Sequence, residues 1–390
     1  MARNYENPTV RPEADSIRIS VILPVYNVAP WIGRCIDSLK KQTLPGLEFI
    51  FVEDCSADNS LSLIEAFARE DDRVRILRND INIGAGPSRN KGIEAARGEY
   101  LSFIDPDDFI SPSFLSLLYR RATSGKRHDI AKGRSIRVSP SGYQKDNGAR
   151  NALIERNLRR GASLWLVFCI QHWSAIYNAS LFKDSALRYG ESRVSEDTVF
   201  LLRVGSVTRD IVFDNDALYY YAERPESTTQ SFNLFRIEES IIGLIEKRDA
   251  LAPFGNSREV KDFFSYQLLW LFTVISQSLV KENPAEDAFR ALVHKLDETL
   301  QSLPDYDYHL KTIPEWELLC RHYRVLPLRD VGTSERLRNW EDFLHDNPSY
   351  RNKFTGLVLK SLALSLLKKS SLRKKASILK QIWFFYKHTR

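Results

Sequence analysis

Residues 97–110, Arg97-Gly-Glu-Tyr-Leu-Ser-Phe-Ile-Asp-Pro-Asp-Asp-Phe-Ile110, decide how the chain is read. Tyr100, Leu101, Phe103 and Ile104 predict a short buried strand, and three carboxylates, Asp105, Asp107 and Asp108, follow it within four positions. Open α/β sheets bind ligands at the carboxyl ends of their strands, so these acids fall where a ligand is expected. Like charges this close repel, and a hard divalent cation with oxygen ligands neutralises them. A solvated acidic turn or helix cap is the plainer alternative, since Asp-Pro-Asp-Asp suits both.

Before this run, strands alternate with helices. Residues 18–27 are β-branched and apolar and predict a buried first strand. Trp31, Ile32, Cys35, Ile36 and Leu39 have the one-face spacing of a helix over 29–43, stopped by Pro45-Gly46. Residues 47–52 predict a second strand that runs into Glu53-Asp-Cys-Ser-Ala-Asp-Asn-Ser60. A helix over 61–70, a strand over 74–77, a loop over 79–91 and a helix over 92–97 follow. This order predicts an α/β fold with a mainly parallel sheet and helices on both faces. The loops 24–29, 53–60 and 105–108 then converge at one sheet edge. Gly84-Ala-Gly86 is not a dinucleotide fingerprint, because it follows the third strand and Arg89 stands where the third glycine belongs.

At 390 residues and 43% hydrophobic content the chain has room for two domains with full cores. Its four cysteines, Cys35, Cys55, Cys169 and Cys320, show neither zinc-site nor disulfide-framework spacing, which suits a reducing cytoplasm. No apolar leader opens the chain, and the longest apolar run, 164–170, is far too short to span a bilayer, so a secreted or membrane-spanning chain is not expected. The net charge of +6 is unevenly spread: residues 351–390 hold eleven Lys/Arg and no Asp/Glu, which leaves the preceding 350 residues at −5. Nucleic acid is therefore not the expected partner of the body.

Four motifs carry a family resemblance. Ser20-Val-Ile-Leu-Pro-Val-Tyr-Asn27, Glu53-Asp54-x-Ser56-x-Asp58-Asn59-Ser60, Asn82-x-Gly84-x-Gly86-x-Ser88-Arg89-Asn90-x-Gly92 and Gly98-Glu-Tyr-x-x-Phe-x-Asp105-x-Asp107-Asp108 occur in order. Together they resemble the family 2 inverting glycosyltransferases of the GT-A fold, over roughly residues 18–225. The resemblance implies a nucleotide-sugar donor, a Mg²⁺ or Mn²⁺ ion, and single displacement with inversion. It assigns the metal to Asp105, Asp107 and Asp108, with Asp107 also serving the ribose. Pro24, Tyr26 and Asn27 then lie on the donor side, Tyr26 beside the base, with Asp54 on its uracil edge. Arg89 approaches the diphosphate, as does Arg224 in Tyr219-Tyr-Tyr-Ala-Glu-Arg224. The alternatives are that Tyr26 fills the sheet end, Arg89 pairs with a neighbouring acid, and the tyrosines form an edge strand. Where the family has glycine this chain has Cys55, which would strain a left-handed backbone there.

Displacement needs a base for the acceptor hydroxyl, opposite the leaving group. Glu196-Asp197 opens an apolar helical run and resembles the family's Glu-Asp motif, with Asp197 as base and Glu196 in support. Two acids at a helix N-terminus also suit the helix dipole. Residues 171–182 resemble the strand beneath the acceptor, where Trp173 stacks on a sugar or packs in the core; His172 is given no role.

The expected organisation is a flexible start over 1–17, a GT-A domain over 18–230, a helical domain over 231–350 and a basic amphipathic tail over 351–390. The tail, with basic clusters and a terminal Ile382-Trp-Phe-Phe-Tyr386, suits the anionic inner face of a membrane or a helix docked on the body. The expected activity is sugar transfer from a UDP-linked donor to a glycan or lipid-linked glycan in surface polysaccharide, capsule or lipopolysaccharide synthesis. A sugar-phosphate nucleotidyltransferase and a catalytically silent scaffold are the alternatives. The first lacks its basic Gly-rich loop after the first strand, and the retained acids argue against the second.

Overall fold

The structure is a computed structural model that describes residues 16–255, apart from 143, 147–150, 152–170, 184–186 and 225–233, and scattered positions between 257 and 303. The chain divides into two compact units, Met1–Thr229 with Asp249–Pro253 and Gln230–Arg248 with Phe254–Arg390.

The first unit is built on one twisted sheet. Its early elements are β1 (Ile19–Val25), α1 (Ala29–Lys40), β2 (Leu47–Glu53), α2 (Ser60–Glu70), β3 (Val74–Arg78), α3 (Ala85–Ala95) and β4 (Tyr100–Phe103). After them come β5 (Phe109–Ile110), α4 (Phe114–Ala122), β6 (Ile130–Val138), β7 (Gln144–Asp146), β8 (Ala175–Asn178), α5 (Glu196–Val207) and β9 (Ile211–Ala222). The strands run in the order β3-β2-β1-β4-β8-β6-β9-β5, with β7 added beside β6. Strands β3, β2, β1 and β4 are parallel, as the β-α alternation predicts. Beyond β4 the sheet is mixed: β8 is antiparallel to both β4 and β6, β5 is antiparallel to β9, and β6 and β9 are parallel. The mainly parallel description therefore fits the first half of the sheet.

Every residue of β1 and β2 is buried, as expected for strands covered on both faces. One face packs Ile19, Val21, Leu23 and Val25 under Ile32, Cys35 and Leu39 of α1, Ile64 and Phe67 of α2, and Leu115 and Leu118 of α4. The other face packs Ile22, Ile50 and Phe103 under Ile93 of α3 and Phe200, Leu201 and Val204 of α5. Gly92 lets α3 lie directly on β1: a Cβ there would stand 2.4 Å from Cγ2 of Ile22.

Two expectations change. The segment 79–91 is not all loop, because α3 begins at Ala85; Gly84, at φ +94°, makes the turn that only glycine adopts easily, and Pro87 is tolerated in a first turn. The tyrosines of β9 do not lie on an edge, since β9 pairs with β6 on one side and β5 on the other.

The second unit holds most of α6 (Leu234–Leu251), whose Ile237, Ile241 and Leu244 are buried, as are Phe263, Phe264 and Leu296. Much of the expected helical domain over 231–350 lies outside the described residues, and the tail over 351–390 lies wholly outside them.

Candidate active site

The loop after β1 and the loop after β2 are tied together. Asn27, at φ +49°, accepts a hydrogen bond from Ala57 N on Oδ1 at 2.8 Å, and Asp58 accepts from Ala29 N at 2.9 Å and from the Ser60 hydroxyl at 2.5 Å. Glu53 accepts from Ser56 N at 2.6 Å, folding the turn back on the strand end. Cys55 is left-handed at φ +60°, the conformation that glycine would take without strain, and its thiol donates to the Asn79 carbonyl at 3.0 Å. Pro24, next to last in β1, is buried in the sheet, whereas Tyr26 stands 49% exposed on this platform. Tyr26 therefore does not merely fill the sheet end.

Asp54 holds the turn into α3. It is 2% exposed, and its carboxylate accepts from Asn79 Nδ2 at 2.8 Å, Ile83 N at 2.9 Å and Gly84 N at 2.8 Å. Three bonds on its two oxygens hold the turn into α3.

Arg89 lies on the second turn of α3, 4% exposed, between two acid sets. Nη2 donates to Asp105 at 2.7 Å and Nη1 to Glu196 at 3.0 Å, while the guanidinium lies 5.1 Å over the Tyr189 ring. The pairing alternative describes its contacts: the donors that would face a diphosphate are engaged by carboxylates. Burial works against charge on Asp105, but Arg89 outweighs it and holds the Asp105 carboxyl below its usual range. Burial and the neighbouring Asp197 push Glu196 up to about 7, against the pull of Arg89.

Asp107 meets Arg224 at 2.5 Å, and the Arg224 guanidinium rests 4.7 Å over the Trp31 ring. Asp108 is 1% exposed and turned into the sheet, where Oδ2 accepts from the Tyr219 hydroxyl and Oδ1 from Ala222 N, each at 2.8 Å. Burial and Asp105 push Asp107 up to about 6, and burial with Asp107 and Asp105 raises Asp108 as well. The buried carboxyls of Asp105, Asp107 and Asp108 disfavour one another's charge, a repulsion that a cation would relieve. Among the described residues no group of three or more His, Cys, Asp or Glu side chains is arranged to hold a metal. The donor set fits an ion through Asp105 and Asp107, with Arg224 displaced from Asp107. Asp108, expected as a third ligand, has each oxygen bonded to β9.

Asp197 opens α5 with Glu196. Its side chain is 46% exposed; Oδ1 accepts from Thr198 N at 2.7 Å, and Oδ2 lies 4.0 Å from Nδ1 of His172. Trp173 is 8% exposed and stacks on Tyr219 at 4.2 Å and Tyr221 at 5.7 Å, so it belongs to the core. His172 and Tyr219 escaped the sequence reading. Tyr219 had a signal in the alternation of β9, and His172 had none.

Comparison with known proteins bears on the family and the fold. The family model "Glycosyl transferase family 2" matches residues 20–185. The chain is 31% identical to the uncharacterized glycosyltransferase EpsJ of Bacillus subtilis, over 54% of this chain and 63% of EpsJ. It is 30% identical to glycosyltransferase GlyG of Streptococcus pneumoniae, over 54% of this chain and 72% of GlyG. The fold matches that of residues 1–349 of S. aureus TarS in complex with UDP-GlcNAc at a TM-score of 0.51 and 18% identity, over 79% of this chain and 92% of that one. The chain thus spans less than two thirds of EpsJ and more than two thirds of GlyG.

Proposed function

The chain belongs to glycosyltransferase family 2 and has its GT-A fold, and we propose that it moves a sugar from a UDP-linked donor to a hydroxyl of a cell-surface glycan, with inversion at the anomeric carbon. The single observation behind this reading is that Arg89 joins Asp105, at the end of β4, to Glu196, beside Asp197. Donor-side acids and a candidate base therefore face one space.

Tyr26, exposed above the β1–β2 loops, offers its ring to the nucleotide base, and Asp54 fixes the turn through Ile83 and Gly84 beside it. Asp107 and Asp105 would hold a Mg²⁺ or Mn²⁺ ion, which would supply Lewis-acid stabilisation of the leaving diphosphate. Arg224, released from Asp107, keeps a cation on the phosphate side. Asp197 takes the acceptor proton on Oδ2, the oxygen that accepts no hydrogen bond among the described residues. Glu196 holds the start of α5 against Arg89 and so fixes where Asp197 stands.

TarS, complexed in the related structure with UDP-GlcNAc, bears the name poly(ribitol-phosphate) beta-N-acetylglucosaminyltransferase, which supports a UDP donor and a surface-polymer acceptor. The eleven basic residues of 351–390 support a lipid-linked acceptor met at the inner face of the membrane; no helix among the described residues is long and apolar enough to cross one. The test is a thermal-shift series on the full chain with UDP, GDP and TDP, with and without Mn²⁺. Metal-dependent stabilisation by UDP is expected, and no stabilisation by any nucleotide overturns the reading.

A further inference from the structure

His172 is 3% exposed, and neither ring nitrogen has a hydrogen-bond partner among the described residues. Its ring is held by Tyr189, edge to face with centroids at 5.6 Å, and by Phe103 at 6.5 Å. A buried imidazole with no partner is destabilising, and a leucine of similar size would fill the same space without that cost. Unsatisfied groups of this kind concentrate where function holds them. One nitrogen has a near acceptor: Nδ1 lies 4.0 Å from Oδ2 of Asp197. Oδ1 of Asp197 is anchored by Thr198, so the carboxylate pivots on that bond, and a swing of about 1 Å brings Oδ2 within hydrogen-bond range.

We propose that His172 is a positioning residue whose Nδ1–H donates to Oδ2 of Asp197 in the reactive state and so fixes the lone pair that meets the acceptor hydroxyl. The proposal rests on the assignment of Asp197 as base. The charged groups around the ring are Arg89 from α3, Asp105 after β4, Lys132 from β6 and Asp197 from α5. Burial and then Arg89 hold the imidazole down to about 4, so near neutral pH it is uncharged and carries one N–H. A neutral donor orients a carboxylate while leaving its charge for proton abstraction, whereas a cationic one would weaken it as a base.

The test uses the full chain labelled with ¹⁵N-histidine, with UDP and Mg²⁺, in long-range proton–nitrogen spectra at pH 7. The seven histidines are distinguished by the loss of one signal set in His172→Asn. His172 is expected as the Nδ1–H tautomer, and Asp197→Asn is expected to shift its nitrogens. An Nε2–H tautomer, or signals indifferent to Asp197→Asn, overturns the proposal. Release of UDP from UDP-N-acetylglucosamine gives the second arm. His172→Asn, whose amide overlays Nδ1, should stay within roughly tenfold of the parent. His172→Gln, whose amide overlays Nε2, and His172→Leu should lose on the order of a hundredfold while His172→Leu melts no lower than the parent. Parental turnover in His172→Leu overturns the proposal. Turnover retained in Asp197→Asn instead overturns the base assignment, whatever the tautomer.

Discussion

Arg89 meets Glu196 at 3.0 Å across 107 residues of sequence, and the same guanidinium meets Asp105 at 2.7 Å. One buried cation thus holds two acids from opposite sides of the site. Replacing it by Met would leave both carboxylates buried without a partner. Arg89→Met should cost about 3–5 kcal/mol in urea unfolding, and adding Glu196→Gln should recover part of that loss.

Asp197 is the acid with an exposed, unbonded oxygen. Asp197→Asn keeps the size and the hydrogen bond at Oδ1 but removes the base. Sugar transfer should fall by about 10²–10⁴-fold while UDP affinity, read by calorimetry with Mn²⁺, stays near the parent value.

Asp107 and Asp108 are neighbours with opposite duties. Asp107→Asn should lose the Mn²⁺ dependence of UDP binding, because its carboxylate faces the site. Asp108→Asn should retain that dependence and show its effect in thermal stability, since both its oxygens face β9. A loss of about 1–3 kcal/mol is the scale for disturbing such a buried pair of hydrogen bonds.

His172 and Glu48 both make stability depend on pH. His172 protonates near 6.5 in the unfolded chain and near 4 in the fold, so between these values the unfolded chain binds the extra proton. Its contribution is full above pH 6.5 and is lost as pH falls toward 4, by up to about 3 kcal/mol. Burial works against charge on Glu48, but Ser20, the Arg97 backbone and Arg75 outweigh it and hold the carboxyl below 4.5, so its stabilisation is lost only as pH falls below that value. Glu196, raised to about 7, and Asp107, raised to about 6, act with the opposite sign over the same range, so the difference carries the His172 contribution: the melting temperature of the parent relative to His172→Leu should rise from pH 4 to 7.

Gly86 and Gly33 separate close packing from open space. A Cβ on Gly86 would stand 2.4 Å from the Gly190 carbonyl oxygen and 3.2 Å from Cβ of Glu196. Gly86→Ala should destabilise by about 1–3 kcal/mol and depress transfer by moving α3 off the Glu196 turn. A Cβ on Gly33, inside α1, meets nothing within 4 Å, so Gly33→Ala should stabilise by about 0.5–1 kcal/mol.

Residue pattern alone determined the β-α-β order, the end of the strand that carries the acids, and the helix opened by Glu196-Asp197, because periodicity and strand-end charge are local properties. Four motifs in sequence also sufficed for the family. The tertiary structure decided what each acid faces. Asp54, Asp105, Asp107 and Asp108 are equivalent on paper, yet one holds a turn, two face the site and one is bonded to β9. Hydrogen-bond partners such as Tyr219, 111 residues from Asp108, arrive only when the sheet closes, and no local pattern records them. His172 is the extreme case. Its meaning lies in the partners it lacks and in an aspartate 4.0 Å away on another element, and both are properties of packing.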